Sequence, residues 1–569
     1  MFPPRCAGWL LMACGVAGAQ TRPVADMVLV HGTVLTVDAK DSTAQALAVR
    51  GGRIVAVGTD AAVMRLVGSH TQIVDLKGRT ATPGLIDTHG HYGEAGSDDL
   101  FHVTLPDATS IAEIVRRVKA RVDKAKPGEW IVGFGWDEGK LAEKRYLYAS
   151  DLDAVSPNNP VVMTNSTGHY LTANSVALRL AKIADDTPDP AGGTIDRDAS
   201  GHVTGILKEN ALRPISALIP PATPAQMRDG ILMEAANLHS EGVTAVKDTA
   251  SEHVWEAYRD LNREGRLDLR VCMLWRAGQS MVTANAVLAQ MRAASPVERV
   301  YDGRLATCGA KIFMDGSSIA RTAWSYDPWD KDGVADGTNT GYPGFDPEVY
   351  RSMVRMFHQA GVSVGTHAIG DKAIDWVVDT YAQVLKEKPT IGLRDSIIHA
   401  YLPTPHATET MAMLEAKYDA GYPEVQPVFL YWLGKSMPPN FGPERLARTM
   451  PLKTYLDHGI RWGAGSDYAV APLAPRLGIW ASVEREVMGG AHSFGTAEAV
   501  DVHTALRSYT AWAAPLIFLE REVGTLEVGK RADIAVWDKN PYAIPASELK
   551  NLRCEMTFVD GKVVFTRAK

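Results

Sequence analysis

Thr82-Pro83-Gly84-Leu85-Ile86-Asp87-Thr88-His89-Gly90-His91 is the stretch on which the reading of this chain turns. A Pro-Gly turn signal opens it, an apolar run follows, and the run stops in two histidines one glycine apart. Such a run suits a strand buried on both faces, as in a parallel sheet. Side chains at i and i+2 of a strand point the same way, so His89 and His91 project together from its carboxyl end. Two neutral imidazoles side by side are half of a site for a borderline metal such as zinc. Taken alone, the pair is equally compatible with two histidines in a loop.

Working outward, apolar β-type runs alternate with helical patterns from Thr82 to about Leu519, the signature of parallel βα units. Eight strands are expected: Gly84 to Thr88, Val243 to Asp248, Leu269 to Leu274, Ala310 to Met314, Val362 to Thr366, Asp395 to His399, Glu424 to Val428 and Ile460 to Gly465. Eight is the number that closes a (β/α)8 barrel, an α/β fold of the TIM type, and such barrels work at the carboxyl ends of their strands. The residues expected there are His89 and His91, Asp248, Trp275, Lys311 within its strand, His367, His399, Gln426 and Asp467. The chain holds 16 histidines in 569 residues, so four of them at strand ends are hard to obtain by accident.

The gap from His91 to Val243 is too long for one βα unit and implies an insertion domain after the first barrel strand, about residues 97–215. Its own strands are expected at Trp130 to Gly135 and Val161 to Asn165. Short β runs with glycine-pair turns fill residues 26–81, and the chain's end answers in the same style at Arg531 to Trp537 and Thr557 to Phe565. Neither end has enough strands to bury a core, so residues 20–81 and 520–569 are expected to pair into one small β-sandwich around a barrel at 82–519.

The first nineteen residues have the charged start, short apolar middle and small-residue end of a secretory signal, too short to span a bilayer. Cleavage after Ala19 and a periplasmic or secreted destination are expected. Leu11-Met12-Ala13-Cys14 also resembles a lipoprotein processing site with Cys14 as the anchored residue. Beyond the leader remain Cys272, Cys308 and Cys554, enough for at most one disulfide. A net charge of -7 offers no electrostatic case for nucleic acid or an anionic membrane as partner. No later stretch has the length and apolarity of a transmembrane helix, so a small organic substrate is the expected partner, with a homodimer as the base-rate assembly.

Pro83 to His91, Lys311-Ile312-Phe313-Met314-Asp315-Gly316, His367-Ala368-Ile369-Gly370-Asp371, His399-Ala400, Gly465-Ser466-Asp467 and Gly524 to Asp533 together resemble the amidohydrolase superfamily. Ser166 to Leu178 and Asp315 to Ala323 resemble, within it, the amidohydrolase-3 group typified by N-substituted formamide deformylases. The resemblance implies a metal site with His89, His91, Lys311, His367, His399 and Asp467 as ligands. It further implies a lysine carboxylated by carbon dioxide and bridging two ions. The chemistry agrees, because an ammonium has no lone pair for a metal whereas a carbamate offers two anionic oxygens. In the alternative, Lys311 pairs with Asp315 or another carboxylate and the histidines and Asp467 hold a single ion. The mixed nitrogen and oxygen set favours Zn2+. Ile398 stands where the family commonly has glutamate, and Arg145-Tyr146-Leu147-Tyr148 replaces an expected proline-threonine, departures that bear on substrate.

The mechanism implied is hydrolysis of the carbon-nitrogen bond of a linear amide, an N-formyl or N-acyl amine or an N-acyl amino acid, by metal-activated water. Asp467 would shuttle the proton. The group places a substrate-facing histidine at His169, here either an oxyanion donor or a structural loop residue. Competing readings keep the site and change the bond to a cyclic amide, ester or lactone, or make the protein a non-catalytic periplasmic binder. Trp324, Tyr326, Trp329 and Tyr342 either wall the pocket or clamp their long loop, and Tyr401 to Tyr422 reads as a second long loop. Trp136-Asp137 either packs or lines the pocket, and His358 is expected to be a surface or packing residue.

Overall fold

The computed structural model of the protein describes residues 24–568 apart from 295–298, 332, 333, 336, 491 and 492. The leader, its cleavage site and Cys14 lie outside the described residues.

At the centre is an eight-stranded parallel sheet whose strands follow one another in chain order. Barrel strands one to four are Leu85–Gly90, Val243–Ala250, Arg270–Arg276 and Leu305–Phe313; strands five to eight are Val364–Ala368, Ser396–His399, Tyr422–Val425 and Gly463–Ala464. Each is buried along nearly its whole length, as strands covered by helices on one side and by the barrel interior on the other must be. The sheet returns on itself where strand eight runs on beside strand one. Asp467 N donates to His89 O at 2.8 Å and His91 N donates to Tyr468 O at 2.7 Å. Asp87 locks the same seam, its carboxylate accepting from His89 N at 3.0 Å and Ser466 N at 2.9 Å. Gly465 has to be glycine there, since a Cβ would meet Asp87 Oδ1 and His89 N, both at 2.7 Å.

Two strands differ from the expectation. Strand seven starts two residues earlier and stops at Val425, because Pro427 cannot donate to a ladder and Val428–Trp432 turns into a helix. Strand eight keeps two ladder residues before bending into the site. The expected loop at 401–422 is mostly the helix Pro405–Tyr418, opened by Thr404, whose hydroxyl accepts from Ala407 N, and ended by Asp419 in the left-handed region. Its buried Ala407, Met411 and Leu414 recur at helical spacing.

Between strands one and two lies a six-stranded sheet from Val103–Thr104 to Val203–Glu209, in which Ile131–Trp136 and Val161–Asn165 pair in parallel. The two chain ends share another six-stranded sheet, where Ile534–Trp537 pairs antiparallel with Thr80–Pro83. A four-stranded sheet built from residues 27–75 packs on it, with Leu29, Leu47, Ile534 and Phe558 in one apolar cluster. Arg270 ties this layer to the barrel floor, donating to Asp533 at 2.7 Å and Asp560 at 2.6 Å. Cys272 and Cys308, on adjacent barrel strands, form a buried disulfide, and Cys554 is a buried free thiol. Among the described residues no helix is long and apolar enough to cross a membrane.

Candidate active site at the carboxyl end of the barrel

Parallel strands present their last inward side chains to one face, and here that face holds a cavity of about 560 Å3. His89, His91, His169, Lys311, His367, His399 and Asp467 all line it. One oxygen of Asp467 sits 3.3 Å from His89 Nε2 and 3.2 Å from His91 Nε2, and donor atoms of the three residues lie within 4.8 Å of one another. Lys311 Nζ is 3.1 Å from His89 Nε2. The imidazoles of His367 and His399 are 4.4 Å apart between centroids, and His399 is 5.6 Å from His89.

The electrostatics suit ligands more than solvated charges. Burial and the neighbouring Lys311 hold His89 well below its usual range, and burial with His399 nearby does the same for His367. Burial takes His399 down to about 3. All three are therefore neutral imidazoles with lone pairs to offer. Burial drives the Lys311 amine down to about 7, although Asp467 and Glu424 pull it back up. For Asp467 burial favours the neutral acid, but His91 outweighs it and keeps the carboxylate ionised. Asp467 Oδ1 and His89 Nδ1 are fully buried without a hydrogen-bond partner, the kind of orphaned atoms that an ion or a bound water satisfies. The donor set thus fits a divalent metal.

Several backbones are held in costly conformations. His399, Ala400 and Asp467 have φ of 79°, 46° and 54°. Left-handed conformations for such residues cost on the order of 1–3 kcal/mol each and gather where function requires a fixed aim.

Outer contacts fix the inner ring. His399 Nδ1 meets Gln426 Oε1 at 2.7 Å. His169 Nδ1 lies 3.0 Å from Glu209, whose carboxylate also accepts from Thr322 Oγ1 at 2.5 Å. Burial opposes protonation of His169, but Glu209 prevails and raises its pKa. Gly316 makes room for this arrangement, since a Cβ would meet Thr322 Oγ1 at 2.2 Å and Glu209 Oε1 at 2.4 Å. Arg276 donates to Glu94 at 2.6 Å and lies 3.1 Å from His91 Nδ1. Below the ring, Lys247 and Glu424 form a buried ion pair of 2.5 Å.

Asp315 does not pair with Lys311; its carboxylate accepts from the backbone N–H groups of Trp324, Ile369 and Gly370. Asp248 is also buried structure, accepting from Tyr92 N, Gly93 N and Tyr258 Oη. His358 is packed inside beside Asp395, and Trp136 packs with its Nε1 on Met163 O. None of Trp324, Tyr326, Trp329 and Tyr342 lines the cavity. They clamp their loop: Trp329 is buried on Phe441, and Tyr326 donates to Asp375. The apolar wall is instead Phe134, Phe313, Tyr401, Phe429, Leu433 and Met437. Glu94, Glu209 and Arg276 escaped the sequence reading because they lie outside any metal-like motif; the position of Glu209 within an insertion strand gave no signal.

The sequence profile of the Amidohydrolase family matches residues 72–565, and the chain belongs to that family. It is 30% identical to Protein LONG AFTER FAR-RED 3 of Arabidopsis thaliana over 563 residues, covering 95% of this chain and 92% of that one. It is 29% identical to the N-substituted formamide deformylase of Arthrobacter pascens over 566 residues, covering 95% and 98%. Among solved structures it resembles an uncharacterized metal-dependent hydrolase from Pyrococcus horikoshii OT3, with a TM-score of 0.71, 26% identity, and coverage of 92% and 99%. The protein is a hydrolase of the amidohydrolase type.

Proposed function

From membership of the amidohydrolase family as premise, we propose that this protein is an exported hydrolase that cleaves the carbon-nitrogen bond of a linear amide. The substrate is an N-formyl or N-acyl amine or an N-acyl amino acid. His89, His91, His367, His399 and Asp467, with Lys311 between them, hold one or two divalent ions, zinc by preference. The observation that carries the reading is the buried Asp467 oxygen with no hydrogen-bond donor, set 3.2 to 3.3 Å from two imidazole nitrogens. When bound, such an ion lowers the pKa of a water toward neutrality and polarises the carbonyl to be attacked.

The chain's own residues supply the rest. A Lys311 amine near pKa 7 has a large neutral fraction, so it could add carbon dioxide with loss of a proton, and the resulting carbamate would offer two anionic oxygens to the metal site. Asp467 stays ionised and accepts the proton of the attacking water, then returns it to the leaving nitrogen. With Nδ1 of His169 held by Glu209, Nε2 is left to donate to the carbonyl oxygen as negative charge grows on it. Phe429, Leu433 and Met437 exclude water from the acyl or amine substituent. Export is supported by the leader pattern and by the Cys272–Cys308 disulfide, which suits an oxidising compartment.

The test is metal content per purified chain together with turnover of N-formyl, N-acetyl and N-acyl amino acid substrates and matched esters, before and after chelation. Two metals with chelator-sensitive amide hydrolysis are expected, and a mature chain beginning at Gln20. One metal with full activity would remove the carbamate bridge. A metal-loaded protein that turns over esters and no amide would overturn the amide reading.

A further inference from the structure

The cavity's charged groups are nearly all spoken for. Glu94 is paired with Arg276 and Glu209 with His169, and Asp467 faces the imidazoles of His89 and His91 in the candidate metal site. Asp315 is held by three backbone donors, and Asp98 by His102 at 2.9 Å. Arg213 is different. It opens the short helix Arg213–Ser216 at the end of the insertion, is exposed, and lines the cavity. Among the described residues its guanidinium makes no ion pair; its side-chain hydrogen bond goes to a neutral oxygen, Oε1 of Gln279.

That single bond is informative. By taking Oε1, Arg213 turns the amide so that Nε2 of Gln279 remains as a donor beside the remaining guanidinium N–H groups. A planar cation next to an amide N–H suits a carboxylate, which can accept two parallel bonds from the fork and a third from the amide. Gly192 and Gly344 line the cavity here, and a Cβ on Gly344 would meet Gln279 Nε2 at 3.4 Å, so the glycine leaves that amide donor uncovered on this side. The patch is tied to the reacting end on both sides. Gln279 lies three residues after Arg276, which touches His91, and Arg213 lies four residues after Glu209, which holds His169.

We propose that Arg213 and Gln279 form the anchor for a substrate carboxylate, so that the amide cleaved is that of an N-acyl amino acid. The inference rests on the amidase reading above. The amide carbonyl lies by the histidine ring, the carboxylate bridges to the insertion, and the side chain or acyl group packs on the Phe429 wall. Arg213 acts on binding and orientation and takes no proton.

The probes are each enantiomer of N-acetylphenylalanine and the neutral N-acetyl-2-phenylethylamine, compared as kcat/KM on the metal-loaded protein and on Arg213→Gln and Arg213→Lys. The intact protein is expected to favour one N-acetylphenylalanine enantiomer over the neutral amide. Arg213→Gln is expected to cut that preference by about 10- to 100-fold, chiefly through KM, as for loss of charged hydrogen bonds. Arg213→Lys should keep part of it, because a lysine supplies charge without the fork. An unchanged ratio, or an intact protein that favours the neutral amide, would overturn the anchor. Should no amide be hydrolysed, the amidase reading falls and calorimetric binding of N-acetylphenylalanine decides: weaker binding to Arg213→Gln sustains the anchor, while equal or absent binding to the intact protein overturns it.

Discussion

Nε2 of His89 and Nζ of Lys311 lie 3.1 Å apart across the barrel interior, although 222 residues separate them in the chain. Barrel strands one and four bring them together, and both side chains are almost completely buried. A charged ammonium is badly placed there, facing an imidazole that burial keeps neutral. The pair therefore reads as two lone-pair donors sharing one partner, with Asp467 supplying the negative charge.

In the proposed mechanism Asp467→Asn removes the proton acceptor while keeping the side chain's shape. Turnover should fall by about 100- to 10,000-fold, the range for a general base, with the thermal transition of the metal-loaded protein nearly unchanged. Metal analysis beside steady-state kinetics checks it, and near-normal kcat would remove Asp467 from the proton path.

Glu209→Gln should act through His169. The amide no longer outweighs burial, so the imidazole loses its charged form and its fixed tautomer. A drop of about 10- to 100-fold in kcat is expected, the usual size for an outer partner. The pH profile of kcat should also move, with its high-pH limb shifting to lower pH, because His169⁺ is then lost earlier. An unaltered profile would assign Glu209 a purely structural part.

Glu234 offers a stability prediction away from the ligands. Burial first, and then Asp99, push its carboxyl up to about 8 from an ordinary 4.5. Between those values the folded chain binds a proton that the unfolded chain has released, so stability falls as pH rises through the window. Glu234→Gln mimics the protonated acid and escapes this loss. The variant should therefore gain on the parent between pH 5 and pH 9, by on the order of 1–3 kcal/mol at the upper end. Melting curves across that range test it; parallel curves would show that Glu234 titrates normally.

Lys247 and Glu424 are opposite charges at 2.5 Å in a site closed to water, and Glu424 Oε2 has no other partner. Lys247→Met strands the carboxylate and should destabilise by about 3–5 kcal/mol. Lys247→Met/Glu424→Gln should recover much of that loss. Calorimetric scans of the parent, Lys247→Met, Glu424→Gln and the double variant provide the cycle, and additive losses would mean that the two residues act independently.

Most of the cavity's histidines and carboxylate were legible in the sequence because the placement of side chains at strand ends obeys local rules. A strand's alternation aims His89 and His91 together, and strand ends in a parallel barrel share one face, so His367, His399 and Asp467 could be gathered without coordinates. Trp324, Tyr326, Trp329 and Tyr342 show the opposite case. Their side chains are the kind that wall a pocket, yet a loop's path is set by distant partners such as Phe441 and Asp375, and it turned them away. The helix at 405–418 was hidden for another reason: its apolar face is short and interrupted, and family loop length invited a loop reading there.

By itself, then, the sequence determined the order of eight strands, the ring of ligand-type residues at their ends, and the presence of an inserted segment, because periodicity and residue chemistry are local properties of the chain. The tertiary structure alone decided what surrounds that ring: Glu209 behind His169, Arg276 behind His91, Arg213 facing the cavity, and the left-handed backbones of His399 and Asp467. Those contacts join positions tens to hundreds of residues apart, and they arise only when barrel closure and the docking of the insertion fix where each side chain can go.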